Sequence, residues 1–190
     1  MQDFTQKWIE KCYWGMRTTE ADGFGQKMTL DQATYAVRIV ARSFKRSGAK
    51  MILIGNGGSQ TTAAHIAIDF GLAGIRATAL NDAAMVTSHG NDFGFEAIYT
   101  KWLELHEAQS PDILIALSCS GRSPNILDAM KYARAHGMGV VTLTGFEPDN
   151  PMRIEGDVNF YTPSHEYGFV QMAQLGILHA IVDIENGWTP

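Results

Sequence analysis

The run of residues 51–71, MILIGNGGSQTTAAHIAIDFG, leaves the chain few choices of fold. Met51-Ile52-Leu53-Ile54 is short, apolar and partly β-branched, and it reads as a buried strand. Gly55-Asn56-Gly57-Gly58-Ser59 follows at once. Its glycines tolerate positive φ and let a ligand approach the backbone closely. Ser59 is placed to cap the helix that begins after it. A strand, a glycine turn and a helix N-terminus together make an anion site, because unpaired N–H groups and the helix dipole point the same way. On that helix His65 and Asp69 stand four residues apart, on one face. A cradle for an anion and two titratable groups on one element point to a small phosphorylated or otherwise anionic substrate. The turn lacks the lysine of a Walker loop and the spacing of Gly-x-Gly-x-x-Gly. Taken alone, it serves a ligand-free connection equally well.

The same grammar recurs along the chain. Residues 3–20 carry Phe4, Trp8, Ile9, Cys12, Tyr13 and Met16 near helical spacing, an apolar face that predicts packing on another helix or subunit. Residues 21–28 read as a connecting loop. Thr29-Leu30-Asp31-Gln32 is an N-cap signature, and a helix runs over 29–47. After the glycine helix come a short strand at 77–80, a short helix capped by Asn81-Asp82 that runs through Val86, and a glycine-interrupted loop, His89 to Phe95. Helix is expected over 96–107, strand over 112–117, helix over 125–136 after Pro124, strand over 139–144, a loop through Pro151, strand over 157–161 and a closing helix over 166–185. Strands with apolar interiors alternating with helices define an α/β fold, a mainly parallel sheet covered on both faces. Ligands bind such sheets beyond the carboxyl ends of the strands.

Size and charge bound the function. The 190 residues suit one domain over 1–190. A net charge of −5 without a basic stripe argues against coating nucleic acid. No run approaches 18 apolar residues and the N-terminus has no signal pattern, so a cytoplasmic protein with no membrane partner is expected. Cys12 and Cys119 are expected as free thiols.

Ser118-Cys119-Ser120-Gly121-Arg122-Ser123 sets three hydroxyls and a helix N-terminus beyond the second buried strand. Hydroxyls and backbone N–H groups saturate phosphate oxygens without a fixed positive charge. A plain serine-rich N-cap has the same composition. Four motifs, Ile54-Gly-Asn-Gly-Gly-Ser59, Gly90-Asn-Asp-Phe-Gly-Phe95, Ser118-Cys-Ser-Gly-Arg-Ser123 and Val141-Thr-Leu-Thr-Gly145, come in the order and spacing of the sugar isomerase (SIS) domain. Over residues 30–185 the chain resembles that family, and within it the branch of the phosphoheptose isomerases. The resemblance implies a three-layer α-β-α sandwich of flavodoxin or Rossmann type. It also implies a phosphorylated sugar substrate, aldose–ketose isomerisation through an enediol, and a homotetramer with sites at subunit interfaces.

The resemblance also implies site residues. The family's histidine and glutamate four apart, and its glutamine and histidine eight apart on the last helix, fall on His65, Asp69, Gln171 and His179. Asp69 and His179 then stand as catalytic base and acid, and all four as ligands of a zinc ion. Their chemistry agrees, since carboxylate and imidazole work near neutral pH and a mixed N/O set suits zinc. Substrate binding falls to Asn56, Gly57, Gly58, Ser59, Asn91, Asp92, Ser118, Cys119, Ser120, Ser123 and Gln171. Each has a plainer use: His65 as a satisfied helix histidine, Asp69 as a local pair, Asp92 as a cap, and Gln171 with His179 as a polar pair in a packing seam. Thr144 and Gly145 end a strand, His106 and His136 read as solvated, and His165 is left open.

The chain departs from the family's pattern. Asp69 stands where glutamate is usual, which withdraws the carboxylate by one methylene, and proton transfer is sensitive to such displacement. Gly168 replaces an aspartate, Cys119 replaces a small hydroxyl residue, and Gly71-Leu-Ala-Gly74 lacks a usual basic residue. The main expectation is an isomerase of sedoheptulose 7-phosphate, its product feeding heptose for surface polysaccharide. The alternatives are an SIS-type regulator that binds protein and a sensor that binds sugar phosphate without turnover.

Overall fold

Two strands with every residue buried, β3 (Met51–Gly55) and β5 (Ile113–Ser118), lie side by side and parallel near the centre of one sheet. The structure, a computed structural model, describes residues 3–190. β4 (Ala77–Ala79) pairs in parallel with β3, β6 (Gly139–Thr144) with β5, and β7 (Val158–Tyr161) with β6. Two antiparallel strands, β1 (Glu20–Gly23) and β2 (Gln26–Met28), extend the β7 side. The order is β2-β1-β7-β6-β5-β3-β4.

Side chains on a strand alternate between faces, so each central strand feeds two cores. Met51, Leu53, Ile115 and Leu117 meet Val37, Phe44, Ile66, Phe70 and Leu178 from α2 (Leu30–Ser47), α3 (Gly58–Leu72) and α8 (Tyr167–Glu185). Ile52, Ile54, Leu114 and Ala116 meet Trp102, Leu103, Ile126 and Met130 from α5 (Ile98–Leu105) and α6 (Pro124–Ala135). Each such buried aliphatic side chain contributes about 1.5–3 kcal/mol. The expected three-layer α/β architecture is the one found. After β3 the chain goes outward to β4, then returns to the other side of β3 as β5. The order reverses between β3 and β5, and the crevice beyond their carboxyl ends is the place for a ligand.

Four local expectations differ. Residues 21–28 form the β1–β2 hairpin: Phe24 and Gly25 both take positive φ, 52° and 78°, in a two-residue turn. Its strands have weak strand composition, and pairing with β7 imposes the conformation on them. Residues 89–95 are not mainly loop. Asp82 caps α4 (Ala83–Phe93), which carries through Gly90 and stops at Gly94. An internal glycine costs a helix only about 1 kcal/mol, too little to end one. The stretch expected as loop up to Pro151 leads into a short helix, α7 (Pro151–Glu155), capped by Asn150 and too brief for a periodic signal. Ser59 is not a cap, since Gly57 holds that position and Ser59 lies inside α3.

The closing helix α8 also qualifies the expectation about apolar spans. It reaches a mean hydropathy of 1.2 over 18 residues, enough in length and composition to cross a membrane. In this fold it is a core helix, with Val170, Ile177, Leu178 and Ile181 buried and Gln174 hydrogen-bonded in its middle. The first helix, α1 (Phe4–Arg17), lies along α8, with the Trp8 and Phe169 rings 5.3 Å apart. Phe4, Tyr13 and Trp14 on α1 stay exposed. Cys12 and Cys119 are free and buried.

Candidate active site

Polar groups with no apolar partner gather where β3 and β5 end. A cavity of about 190 Å³ there is lined by Asn56, Ser59, Ser118, Cys119, Ser120, Ser123, Tyr167 and Gln171. It contains no charged side chain. What it offers an anion instead is helix N-termini. Capping side chains satisfy the first turns of α1, α2, α4 and α7, from Asp3, Thr29, Asp82 and Asn150. The three helices that contribute Ser59, Ser123 and Tyr167 to the cavity, α3, α6 and α8, have no capping hydrogen bond. Backbone carbonyls take the Ser59, Ile126 and Phe169 N–H groups of these first turns, and the remaining ones, Gly58 and Asn125 among them, are left for a ligand.

The cradle is held rigidly from behind. The carboxamides of Asn56 and Asn125 bond each other reciprocally, both at 2.9 Å, and tie the β3 turn to α6. Ser59 Oγ donates to Gln174 Oε1 at 3.1 Å, and Gln174 Nε2 donates to the Leu143 carbonyl at 3.0 Å. Tyr99 donates its hydroxyl to the Gly55 carbonyl, and burial pushes that phenol up to about 12. On the β5 side, Ser118 Oγ lies 3.3 Å from Ser123 Oγ and accepts from the Gly121 N–H at 3.2 Å. Gly121 takes a φ of 61°, and a Cβ there would stand 2.0 Å from Asn150 Oδ1. Only glycine fits. Gly58 is bare for a different reason: its missing side chain is replaced by Gln171, whose Oε1 lies 2.6 Å from where a Cβ would be. Burial raises the Cys119 thiol above its ordinary value, partly offset by contacts to Ser59 and Gln171.

A second group of side chains sits further along α3 and α8. His65 Nε2 and His179 Nδ1 approach the same carboxylate oxygen, Asp69 Oδ2, at 3.5 and 3.6 Å. The two rings meet edge to face, centroids 5.2 Å apart. One donor atom from each residue lies within 4.8 Å of the others. Two imidazole nitrogens and a carboxylate oxygen converging at this spacing fit a zinc ion with an open position. The cluster is open, for half of the His65 side chain is exposed.

The predicted residues thus separate into two groups. Asn56, Ser59, Ser118, Cys119, Ser120, Ser123 and Gln171 line the cradle, bordered by Gly57 and Gly58, while His65, Asp69 and His179 form the cluster. Gln171 was expected at both. Its side chain lies over Gly58, and His179 follows two turns along α8, about 12 Å in rise. Asn91 and Asp92 do not reach the cavity. They bond each other at 2.8 Å on α4, a helix with no buried residue. A larger cavity, about 540 Å³ between Lys50, Arg76 and His106, opens at the amino ends of the strands and holds none of these groups. Two features escaped the sequence: Tyr167 in the cradle lining and Asn150 behind the Gly121 turn. Asn150 left one legible sign, an Asn-Pro pair that can start a helix.

Known proteins resemble this chain in sequence and fold. The SIS domain family pattern matches residues 26–145. A phosphoheptose isomerase of Serratia proteamaculans is 33% identical over 162 residues, 82% of each chain. The solved phosphoheptose isomerase of Francisella tularensis superposes with a TM-score of 0.82 at 25% identity, covering 99% of this chain and 100% of that one. That of Neisseria gonorrhoeae gives a TM-score of 0.83 at 24% identity over 97% of each. The chain therefore belongs to the SIS domain family, on the branch of the phosphoheptose isomerases.

Proposed function

We propose that this protein is an aldose–ketose isomerase that converts sedoheptulose 7-phosphate to a D-glycero-D-manno-heptose 7-phosphate. The observation that carries the reading is the two-ended site: a neutral anion cradle at the head of α8 and a carboxylate between two imidazoles two turns further on. A sugar phosphate is two-ended in the same way, with its phosphate and its carbonyl at opposite ends of the carbon chain.

The chemistry follows from those residues. N–H groups of α3 and α6 with the hydroxyls of Ser118, Ser120 and Ser123 take the phosphate, while Asn56, Ser59, Cys119 and Gln171 wall the cavity. Asp69, as carboxylate, removes a proton from C1 of the ketose, leaving an enediol whose C1–C2 electron pair is then reprotonated at C2. His179 moves a proton between the oxygens on C1 and C2, so the ketone becomes a hydroxyl and the hydroxyl an aldehyde. Asp69 meets both imidazoles, which fix the position of its shortened carboxylate. His65, Asp69 and His179, with Gln171 if it swings from the cradle, would hold zinc, which as a Lewis acid polarises a carbonyl oxygen.

The supporting assembly is a homotetramer. The exposed aromatic face of α1 and the unburied α4, which carries Asn91 and Asp92, are surfaces a second copy would cover. Residues 1–190 are taken as one SIS unit in the cytoplasm, with no nucleic-acid or membrane partner. A monomeric mass by light scattering at micromolar concentration would contradict the tetramer. Incubation of the zinc-loaded protein with sedoheptulose 7-phosphate should give the aldose phosphate by anion-exchange chromatography. No product from any C5–C7 ketose phosphate would overturn the enzyme reading and favour a sugar-phosphate sensor.

A further inference from the structure

Tyr167 is the one aromatic residue in the lining of the cradle, and it was invisible as a site residue. It is the first residue of α8, 62% exposed, and it lines the cavity together with Ser120 and Ser123. Its ring is not loose. It packs edge to face on Phe146, centroids 5.0 Å apart and planes at 74°. Phe146 stacks in turn on His165 at 5.6 Å, and His165 Nε2 lies 2.9 Å from Glu147 Oε1.

Phe146 is held in an unusual conformation. Its φ is 57°, left-handed backbone that a bulky residue adopts only where the surroundings impose it. Here they do: its N–H donates to the Ser164 carbonyl at 2.9 Å, and its carbonyl accepts from the Tyr161 hydroxyl at 2.8 Å. Arg153 covers the Tyr161 ring at 4.4 Å. The strain presents the Phe146 ring to Tyr167. Among the described residues, the phenol of Tyr161 is used within the fold, whereas that of Tyr167 bonds to nothing.

We propose that Tyr167 is a substrate-binding residue, its hydroxyl donating to a phosphate oxygen in the cradle while its ring, braced by Phe146, closes the cavity mouth. The inference rests on the cradle being a phosphate site, and it adds a neutral donor to a lining that has no charged side chain. A phenol hydroxyl donates to a phosphate oxygen without adding a charge, in keeping with the uncharged lining.

Tyr167→Phe removes the hydroxyl alone, and Tyr167→Ala removes the ring as well. Both sit at an exposed helix start, and melting temperatures near that of the wild type will establish that they fold. The affinity for inorganic phosphate, titrated by calorimetry, and the KM for sedoheptulose 7-phosphate are then compared. Tyr167→Phe should weaken both about tenfold, the loss of one hydrogen bond to a charged group, with kcat within about twofold. Tyr167→Ala and Phe146→Leu should weaken both as well, the first by more than Tyr167→Phe. Wild-type phosphate affinity in Tyr167→Phe would overturn the proposal. Absence of turnover in the wild type would remove the isomerase reading and leave the phosphate titration to decide on Tyr167 by itself.

Discussion

The two halves of the site are built differently. The cradle is formed by backbone and small hydroxyls and braced by buried amides: Asn125, Asn150 and Gln174 are each at most 2% exposed. The His65–Asp69–His179 cluster stands on two helix faces, with half of His65 in solvent and, among the described residues, no hydrogen bond from outside the trio fixing it. Rigid preorganisation suits a group that binds the same way throughout a reaction. An open cluster suits groups that must change partners as protons move, and it leaves room for an ion or a second subunit to complete the site. The comparison teaches that binding and chemistry should come apart under mutation.

The sharpest break is at the cluster. Asp69→Asn and His179→Ala should lower kcat by about 10²–10⁴-fold while inorganic phosphate binds as before. A parallel loss of phosphate affinity would mean the halves are not independent. Zinc gives the next largest effect. Saturating metal at 100 times its dissociation constant should add about 2.7 kcal/mol of stability by thermal melts, lost with chelator and in His65→Ala. At the cradle, Gly121→Ala forces a Cβ into Asn150 and should cost about 1–3 kcal/mol in urea unfolding and raise KM, with kcat at saturation less affected.

Tyr99 sharpens the account of how the β3 turn is held. Its phenol is raised from 10.0 in the ordinary range to about 12 by burial. Folding therefore favours the protonated form, so its contribution is complete below pH 10. It is lost as pH rises toward 12, at up to about 1.4 kcal/mol per unit. Tyr99→Phe should flatten that alkaline slope in pH-dependent denaturation. The smallest effect belongs to Cys119. With its thiol raised by burial it stays protonated at neutral pH. Alkylation followed by mass spectrometry should be slow at pH 8, and Cys119→Ser should change KM less than about twofold, as expected if a hydroxyl can replace the thiol.

Much of this was legible in the sequence, for reasons that differ by element. β3, β5 and β6 are buried on both faces, so their apolar runs announced strands, and the glycine and serine turns after β3 and β5 marked the crevice. The β1–β2 hairpin was not legible because its strand character comes from β7, 135 to 141 residues further along the chain, and not from Ala21-Asp22-Gly23. The α4 helix was hidden by Gly90 and Gly94, of which only Gly94 acts as a stop. At the site, His65 and Asp69 declared themselves by spacing on one helix. Their meeting with His179 depends on α3 lying against α8, which no local pattern encodes. Gly168, read as a lost aspartate, lies under α1: a Cβ there would stand 3.2 Å from the Trp8 ring, which would have to shift by a few tenths of an ångström. Tyr167 was missed for the complementary reason, since only the fold brings the start of α8 to the end of β5.

The central claim is that Asp69, despite its short side chain, moves a proton on a phosphorylated ketose bound in the cradle. Deuterium incorporation at C1 of sedoheptulose 7-phosphate in heavy water, followed by NMR for the zinc-loaded wild type and Asp69→Asn, tests it most directly. Incorporation together with aldose formation is expected in the wild type, and neither in Asp69→Asn. Wild-type protein that binds the sugar phosphate yet exchanges no proton, or Asp69→Asn that exchanges at the wild-type rate, would contradict it.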